Sequence, residues 1–446
     1  MTVAGGRFAP GHLGELTRQV PFEMVDAVLE ETCRVQRRVR VLPARVVVYL
    51  LLAGCLFAEL GYAQVWARMT AGLDGLAGAS PTASALTQAR RRLGPGPLRE
   101  LFALLRGPSP AGARWRGLLA CAIDGTIMTV ADSDANLAVY SRQRGGPTGG
   151  SSYPMLRLLT LVSCGTRTVI DAVFGPVSSG ETTYARGLLG SLHAGMILLA
   201  DRNFGAGFLA AQIAGTGADF LIRVRTGNGS PKLPVLGRCP DGSWLSRFGG
   251  VPVRVIDAQV TVVTSAGRAA GRCRLITTLA DPARYPAGEI VALYHERWEI
   301  ETAYFELKSA ILGGRVLRAR TPGGVDQEVY ALLVTYQALR AAIADAAAAV
   351  PGTDPDRASF TIALNAARDQ VILAAGVTGP ATDLAGNIGR LVLASLMPAR
   401  RPRTSPRVVK RAISKYNARG KVDRTTRKAT INITILATPL TTGDEP

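Results

Sequence analysis

The chain has 446 residues, 47% of them hydrophobic, which is enough for a sizeable core and excludes a disordered protein. Fifty-two lysines and arginines against 33 acids give a net charge of +19, which favours a polyanionic partner; ribosomal and membrane-surface binding stay open on charge alone. Cys33, Cys55, Cys121, Cys164, Cys239 and Cys273 form no CxxC pair, and His12, His193 and His295 lie far apart. That pattern indicates neither a zinc site nor a disulfide framework and disfavours a Ser-His-Asp triad, leaving carboxylates to carry any chemistry.

The N-terminus lacks the basic start and apolar core of a signal peptide, and the strongest apolar run, Val46 to Ala58, is too short to span a bilayer. A cytoplasmic protein is expected. From Leu13 to Arg106 the apolar periodicity is helical. Within it, Ser80-Pro81-Thr82 opens a helix that ends in Arg90, Arg91 and Arg92. Such a helix can enter a DNA groove; an ordinary solvated end, with arginines favourable to the helix dipole, is the competing reading.

After Gly117 the texture becomes β-like. LLACAID, MLRLLTLVSC and TVIDAVFGPV predict three strands, ETTYARGLL a helix, MILLAD a strand, FGAGFLAAQIAG a helix and DFLIRVR a strand, which together pack as a mixed α/β sheet. Asp124 follows the apolar run ACAI, and Asp201 follows MILLA, so both stand at strand ends where site residues of α/β folds gather. Each alone is more often a turn former or helix cap. Asp132 and Asp134 read as solvated loop acids.

Residues 226–280 are rich in Gly, Pro and Val and read as a β insertion, with VPVRVIDAQVTVV and CRLITTL as antiparallel strands. Pro286 to Ile311 then has helical periodicity, and an alanine-rich helix follows from Gln327 to Val350. From Pro351 the chain is again helical until a segment, Arg400 to Lys428, with twelve Lys or Arg and one acid, Asp423. Its prolines and unbalanced charge favour a basic arm on phosphates over a solubilising tail. The expected division is 1–115, a helical N-terminal DNA-binding domain; 116–225 and 281–350, two parts of a catalytic core; 226–280, the insertion; and 351–446, a helical and basic region.

Tyr294, Arg297, Glu301 and Lys308 share one stripe of the Pro286–Ile311 helix, at roughly 0°, −60°, −20° and −40° on a wheel of about 100° per residue. Leu293, Ile300, Tyr304, Leu307 and Ile311 centre near roughly −100° on that wheel, so the stripe borders the buried side, as a cleft residue should. A carboxylate beside two cations and a phenol suits phosphodiester chemistry. An i,i+4 salt bridge between Arg297 and Glu301 without function is the plain alternative. Trp244 and Trp298 are candidates for stacking on an extruded base, with burial in the core the expectation for both.

The segments AIDGT, LLADRNF and YHERWEIETAYFELK resemble the three catalytic blocks of DDE transposases of the insertion-sequence type 4 family, whose signature Y-x2-R-x3-E-x6-K is matched by Tyr294, Arg297, Glu301 and Lys308. Where many relatives have Arg-Gly-Phe after the second aspartate, this chain has Arg202-Asn203-Phe204. The likeness extends to RVLPARVVVYLLL, LTQARRRLG and SPRVVKRAISKY, and so spans most of the chain.

The resemblance implies an RNase H-like mixed-sheet core with a β-rich insertion, a helical N-terminal domain and a basic C-terminal region. It implies Asp124, Asp201 and Glu301 as catalytic metal ligands for two Mg²⁺ ions, or Mn²⁺, and Tyr294, Arg297 and Lys308 as holders of DNA phosphates. Arg90, Arg91, Arg92, Arg407, Lys410, Arg411 and Lys415 are further candidate DNA contacts, and Trp298 a candidate stacking residue. The implied partner is double-stranded DNA, transposon ends and target, engaged by a homodimer. A stand-alone nuclease and a catalytically inactive DNA-binding regulator remain the alternatives.

Overall fold

The computed structural model describes residues 10–36, 38, 40–73, 78–110, 114–142, 153–227, 229–374, 386–398, 403–404 and 425–437. Five helices open it: α1 (Phe22–Glu31), α2 (Ala44–Leu56), α3 (Tyr62–Thr70), α4 (Ala83–Leu93) and α5 (Gly96–Leu105). Helix α2 is buried all round except at Arg45, which pairs with Asp26. Its unbroken apolar run therefore makes a core helix, and no helix among the described residues is long and apolar enough to cross a membrane. Helix α4 starts on Thr82, whose hydroxyl accepts from Ala85 N at 3.1 Å.

Next come β1 (Arg114–Trp115), β2 (Leu118–Thr129), α6 (Asp134–Leu137), β3 (Met155–Ser163), β4 (Val169–Pro176), α7 (Glu181–Ala185), β5 (Met196–Ala200), α8 (Gly207–Gly215) and β6 (Asp219–Val224). The insertion supplies β7 (Gly237–Arg238), β8 (Trp244–Phe248), β9 (Val251–Thr264) and β10 (Gly267–Thr277). The signature segment begins with α9 (Ala287–Tyr294) and α10 (Glu299–Phe305), followed by α11 (Pro322–Ala348), α12 (Phe360–Ile372), α13 (Gly386–Ala394), β11 (Arg403–Thr404) and β12 (Arg427–Ile435).

The central strands run in the order β4-β3-β2-β5-β6, with β2, β5 and β6 parallel and β3 and β4 antiparallel. This order is RNase H-like. The insertion does not stand apart: β10 pairs with β6, β9 with β10 and β12 with β9, so core and insertion share one mixed sheet.

Alternation along β2 sends Ala120 and Ala122 to a core shared with the N-terminal helices, the signature segment and α11, and Leu119, Cys121 and Ile123 to a second core under α7 and α8. The signature segment therefore lies on one face of the sheet and α7 on the other.

Candidate active site

The last parallel pair between β2 and β5 is Ile123 with Ala200. Asp124 and Asp201 are each the next residue, so the register places them side by side on strands about 4.8 Å apart. Asp124 Oδ1 accepts from Gly125 N at 2.8 Å, and Asp201 Oδ1 accepts from Asn203 N at 2.8 Å, capping the 3₁₀ turn Arg202–Phe204. Capping and facing a cleft are thus compatible at Asp201.

Pro286 to Ile311 does not form the single regular helix expected. After α9 the chain tightens into a 3₁₀ turn, His295–Trp298, resumes as α10, and widens into a π turn, Glu306–Ile311. The opposite face carries a buried charge network. Glu299 and Glu306 are buried there, pairing with Arg167 at 2.6 and 3.3 Å, while Arg340 also pairs with Glu306 and Asp356 with Arg167. Glu299 and Glu306, seven residues apart, share this face, opposite the signature residues that line the cleft.

Tyr294 donates its hydroxyl to Ala200 O at 3.3 Å, and burial pushes its phenol up to about 12. Arg297 stands between two carboxylates, with Nη1 at 3.3 Å from Asp124 Oδ2 and Nη2 at 3.5 Å from Glu301 Oε1. Lys308 Nζ donates to Thr126 Oγ1 at 3.1 Å. The Arg297–Glu301 pair is therefore no exposed helix bridge: the Arg297 side chain is 9% exposed and also reaches β2, whereas Glu301 at 42% faces outward.

Burial pushes the Asp124 carboxyl up to about 7; Gly125 N–H and Arg297 oppose that shift, and Asp201 and Glu181 add to it. Burial would lower the guanidinium of Arg297, but Tyr294, Asp124 and Glu301 keep it above its ordinary value. Among the described residues no three His, Cys, Asp or Glu side chains are gathered as for a single ion. The donor set nonetheless suits hard divalent cations, since it is all carboxylate and the most buried member is unfavourable as an isolated charge.

Trp298 departs from expectation. Its ring is 38% exposed beside the cleft, with the Arg297 guanidinium 5.3 Å from its centre. Trp244 is buried in the core, as expected. Asp132 pairs with Arg142 at 2.7 Å at the surface, and Asp134 opens α6.

Arg91 and Arg92 are exposed, whereas Arg90 is half-buried with its guanidinium 3.9 Å above the ring of Tyr62. Arg91 and Arg92 share a groove with Arg34, Arg38 and Arg40, and among the described residues none of the five has a carboxylate partner. The run CRVQRRVRV carried the signal for those three, but only the fold brings it against α4. Arg407, Lys410, Arg411 and Lys415 lie outside the described residues. Tyr304, read as one of the apolar set, is buried but polar in use: its hydroxyl donates to Asp124 O and lies 2.9 Å from Thr160 Oγ1.

The RNase H-like sheet with paired strand-end aspartates and the signature segment define a polynucleotidyl-transferase-type enzyme. Residues 115–337 match the transposase DDE domain, and residues 10–103 the insertion element 4 transposase N-terminal domain. The chain belongs to the DDE transposases of the insertion-sequence type 4 family and is an insertion-sequence DNA transposase. It is 28% identical over 412 residues to transposase InsG of insertion sequence element IS4 from Escherichia coli (strain K12), covering 88% of this chain and 91% of that protein. Putative transposase InsZ of the same organism is 28% identical over 192 residues, 42% of this chain and 62% of that one. A cryo-EM structure of a piggyBac transposase synaptic complex with hairpin DNA aligns with a TM-score of 0.45 at 10% identity, over 87% of this chain and 85% of that one. The family implies dependence on a divalent metal and binding of DNA.

Proposed function

We propose that Asp124, Asp201 and Glu301 are the catalytic triad and would hold two Mg²⁺ ions, with Mn²⁺ as a substitute, to cleave and rejoin DNA at the ends of the element. The observation that carries this is the register of β2 and β5, which sets Asp124 beside Asp201, together with Arg297 joining Asp124 to Glu301. When bound, such ions activate the attacking oxygen and stabilise the leaving one.

Tyr294, Arg297 and Lys308 hold phosphates of the cleaved end, as a phenol and two cations suit. Trp298 offers a ring face to an unstacked base. Arg91 and Arg92, with Arg34, Arg38 and Arg40, hold the duplex backbone, with Arg90 beside them; Arg407, Lys410, Arg411 and Lys415 add phosphate contacts. On this reading 1–115 binds the terminal inverted repeats, 116–225 and 281–350 perform catalysis around the insertion 226–280, and 351–446 supports DNA binding. Two copies pair two ends, acting on the nucleoid in a bacterial cytoplasm.

The test is incubation with Mg²⁺ and DNA carrying the element's own ends. End-specific cleavage followed by joined product is expected, and Glu301→Ala should abolish cleavage while leaving end binding within about twofold. Cleavage without joining would leave a nuclease; unchanged cleavage by the variant would remove Glu301 from the triad.

A further inference from the structure

A fourth carboxylate reaches the cleft from the opposite face of the sheet. Glu181, the first residue of α7, lies over Gly125 so closely that a Cβ there would stand 2.7 Å from Glu181 Oε1. Its carboxylate is held on two sides: Oε1 is 3.1 Å from Arg157 Nη1 on β3, and Oε2 accepts from Asn203 Nδ2 at 3.4 Å. The backbone N–H of Asn203 in turn donates to Asp201 Oδ1 at 2.8 Å. Arg157, Glu181, Asn203 and Asp201 therefore form one continuous polar chain from a central strand to the second aspartate.

The two halves of that chain are chemically distinct. Asn203 uses its main chain on Asp201 and its side chain on Glu181, so it can relay the position of one carboxylate to the other. A glycine at 203 lacks the side-chain half of the relay. Gly125 completes the arrangement, because a Cβ there would stand 2.7 Å from Glu181 Oε1 and force the end of that side chain to shift.

We infer that Glu181 is a positioning residue of the active site, orienting Asp201 through Asn203 for divalent cations. This rests on the triad reading above. Its place on α7, anchored to the sheet by Arg157, makes the Asp201 turn dependent on α7, an element that carries none of the signature residues. The same charge lies near Asp124, whose carboxyl it helps to disfavour as an anion.

The experiment measures Mn²⁺ binding by electron paramagnetic resonance on the full chain without DNA. Wild type is compared with Glu181→Ala, Glu181→Gln, Asn203→Gly, Glu181→Ala with Asn203→Gly, Gly125→Ala and Asp201→Ala. We expect Glu181→Ala and Gly125→Ala to weaken binding about tenfold and Glu181→Gln, which keeps the bond to Asn203, about threefold. In the Asn203→Gly background, removing Glu181 should change affinity less than twofold, because the relay is already cut.

Melting in chelator separates positioning from folding: Glu181→Gln and Gly125→Ala should melt close to wild type while still binding Mn²⁺ more weakly. Wild-type Mn²⁺ affinity in Glu181→Ala and Gly125→Ala, with Asp201→Ala impaired, would overturn the relay alone. Wild-type affinity in Asp201→Ala would overturn the triad reading and the relay with it. Equal, additive losses from Glu181 and Asn203 would also overturn it, since a relay requires coupling.

Discussion

Asp124 shows how one side chain's surroundings set the conditions under which a site can work. Its ordinary pKa of 3.8 is pushed up to about 7 in the folded chain, chiefly by burial. Between those values the folded protein keeps a proton that the unfolded chain releases, so without metal its stability falls as pH rises through that window. Asp124→Asn should flatten this slope in denaturant titrations with chelator present; an unchanged slope would assign the effect elsewhere. On the proposed ligand set a cation would have to displace that proton, so wild-type Mn²⁺ affinity should fall on the order of tenfold per pH unit below about 7.

The strand-end position of the two aspartates and the spacing of the signature could be read from sequence because both survive without coordinates. Tyr304 could not. Its neighbours in the chain mark it as core, and only the packing of α10 on β2 and β3 brings its hydroxyl to Asp124 O and Thr160. Trp298 is partly exposed where burial is the expectation, for the converse reason: its phase beside the stripe says nothing of whether another element covers it.

At the scale of elements, the signature segment is held by charge as much as by apolar contact. Arg167, Arg340, Glu299 and Glu306 are all buried, and Tyr336 donates its hydroxyl to Glu306 Oε2 at 3.1 Å. Removing one member leaves the others uncompensated in a medium that cannot solvate them. Glu306→Ala should therefore cost about 3–5 kcal/mol in chemical unfolding, far above an exposed Glu→Ala change on the same segment. A loss below about 1 kcal/mol, the scale of a surface pair, would show the network to be dispensable. The 3₁₀ and π turns of the signature segment are a departure that a wheel drawn at constant pitch has no means to anticipate.

The C-terminal region gains a different meaning from its strands. Residues 403–404 pair with 427–428, and β12 continues along β9 from Ala258 to Thr264, so the two strands that flank the basic stretch in sequence are paired with each other and β12 joins the sheet. Truncation before Arg400 would remove this cover and bare the edge of β9, an invitation to edge pairing. The truncated chain should self-associate in light scattering at low micromolar concentration, whereas neutralising Arg407, Lys410, Arg411 and Lys415 in the full chain should not. A monodisperse truncated protein would contradict this.

Across the whole molecule, the net charge of +19 is not spread evenly in its use. Many arginines are spent on ion pairs, such as buried Arg254 with the half-buried Asp241 and Arg274 with Asp257 in the core. The groove of Arg34, Arg38, Arg40, Arg91 and Arg92 is of the other kind, and Arg92 feels it: burial and the nearby Arg40 hold its guanidinium below the ordinary value. Phosphates would relieve that crowding. Replacing Arg38 and Arg40 by Gln should lower the slope of log K against log salt by about 2 for duplex DNA, about 0.9 per contact. A slope unaltered in anisotropy titrations would remove the groove from the DNA interface.

By itself the sequence determined the family, the strand-end aspartates and the signature spacing, because these depend on residue type at fixed separation along the chain. It also determined that residues 226–280 are β-rich, through alternation and composition. The tertiary structure alone decided which of those residues meet: the register of β2 with β5, the reach of Arg297 to two carboxylates, the meeting of Glu181 with Asn203, and the arginine groove. Each joins elements distant in the chain, and their meeting is settled by which faces bury together, a property that no local pattern carries.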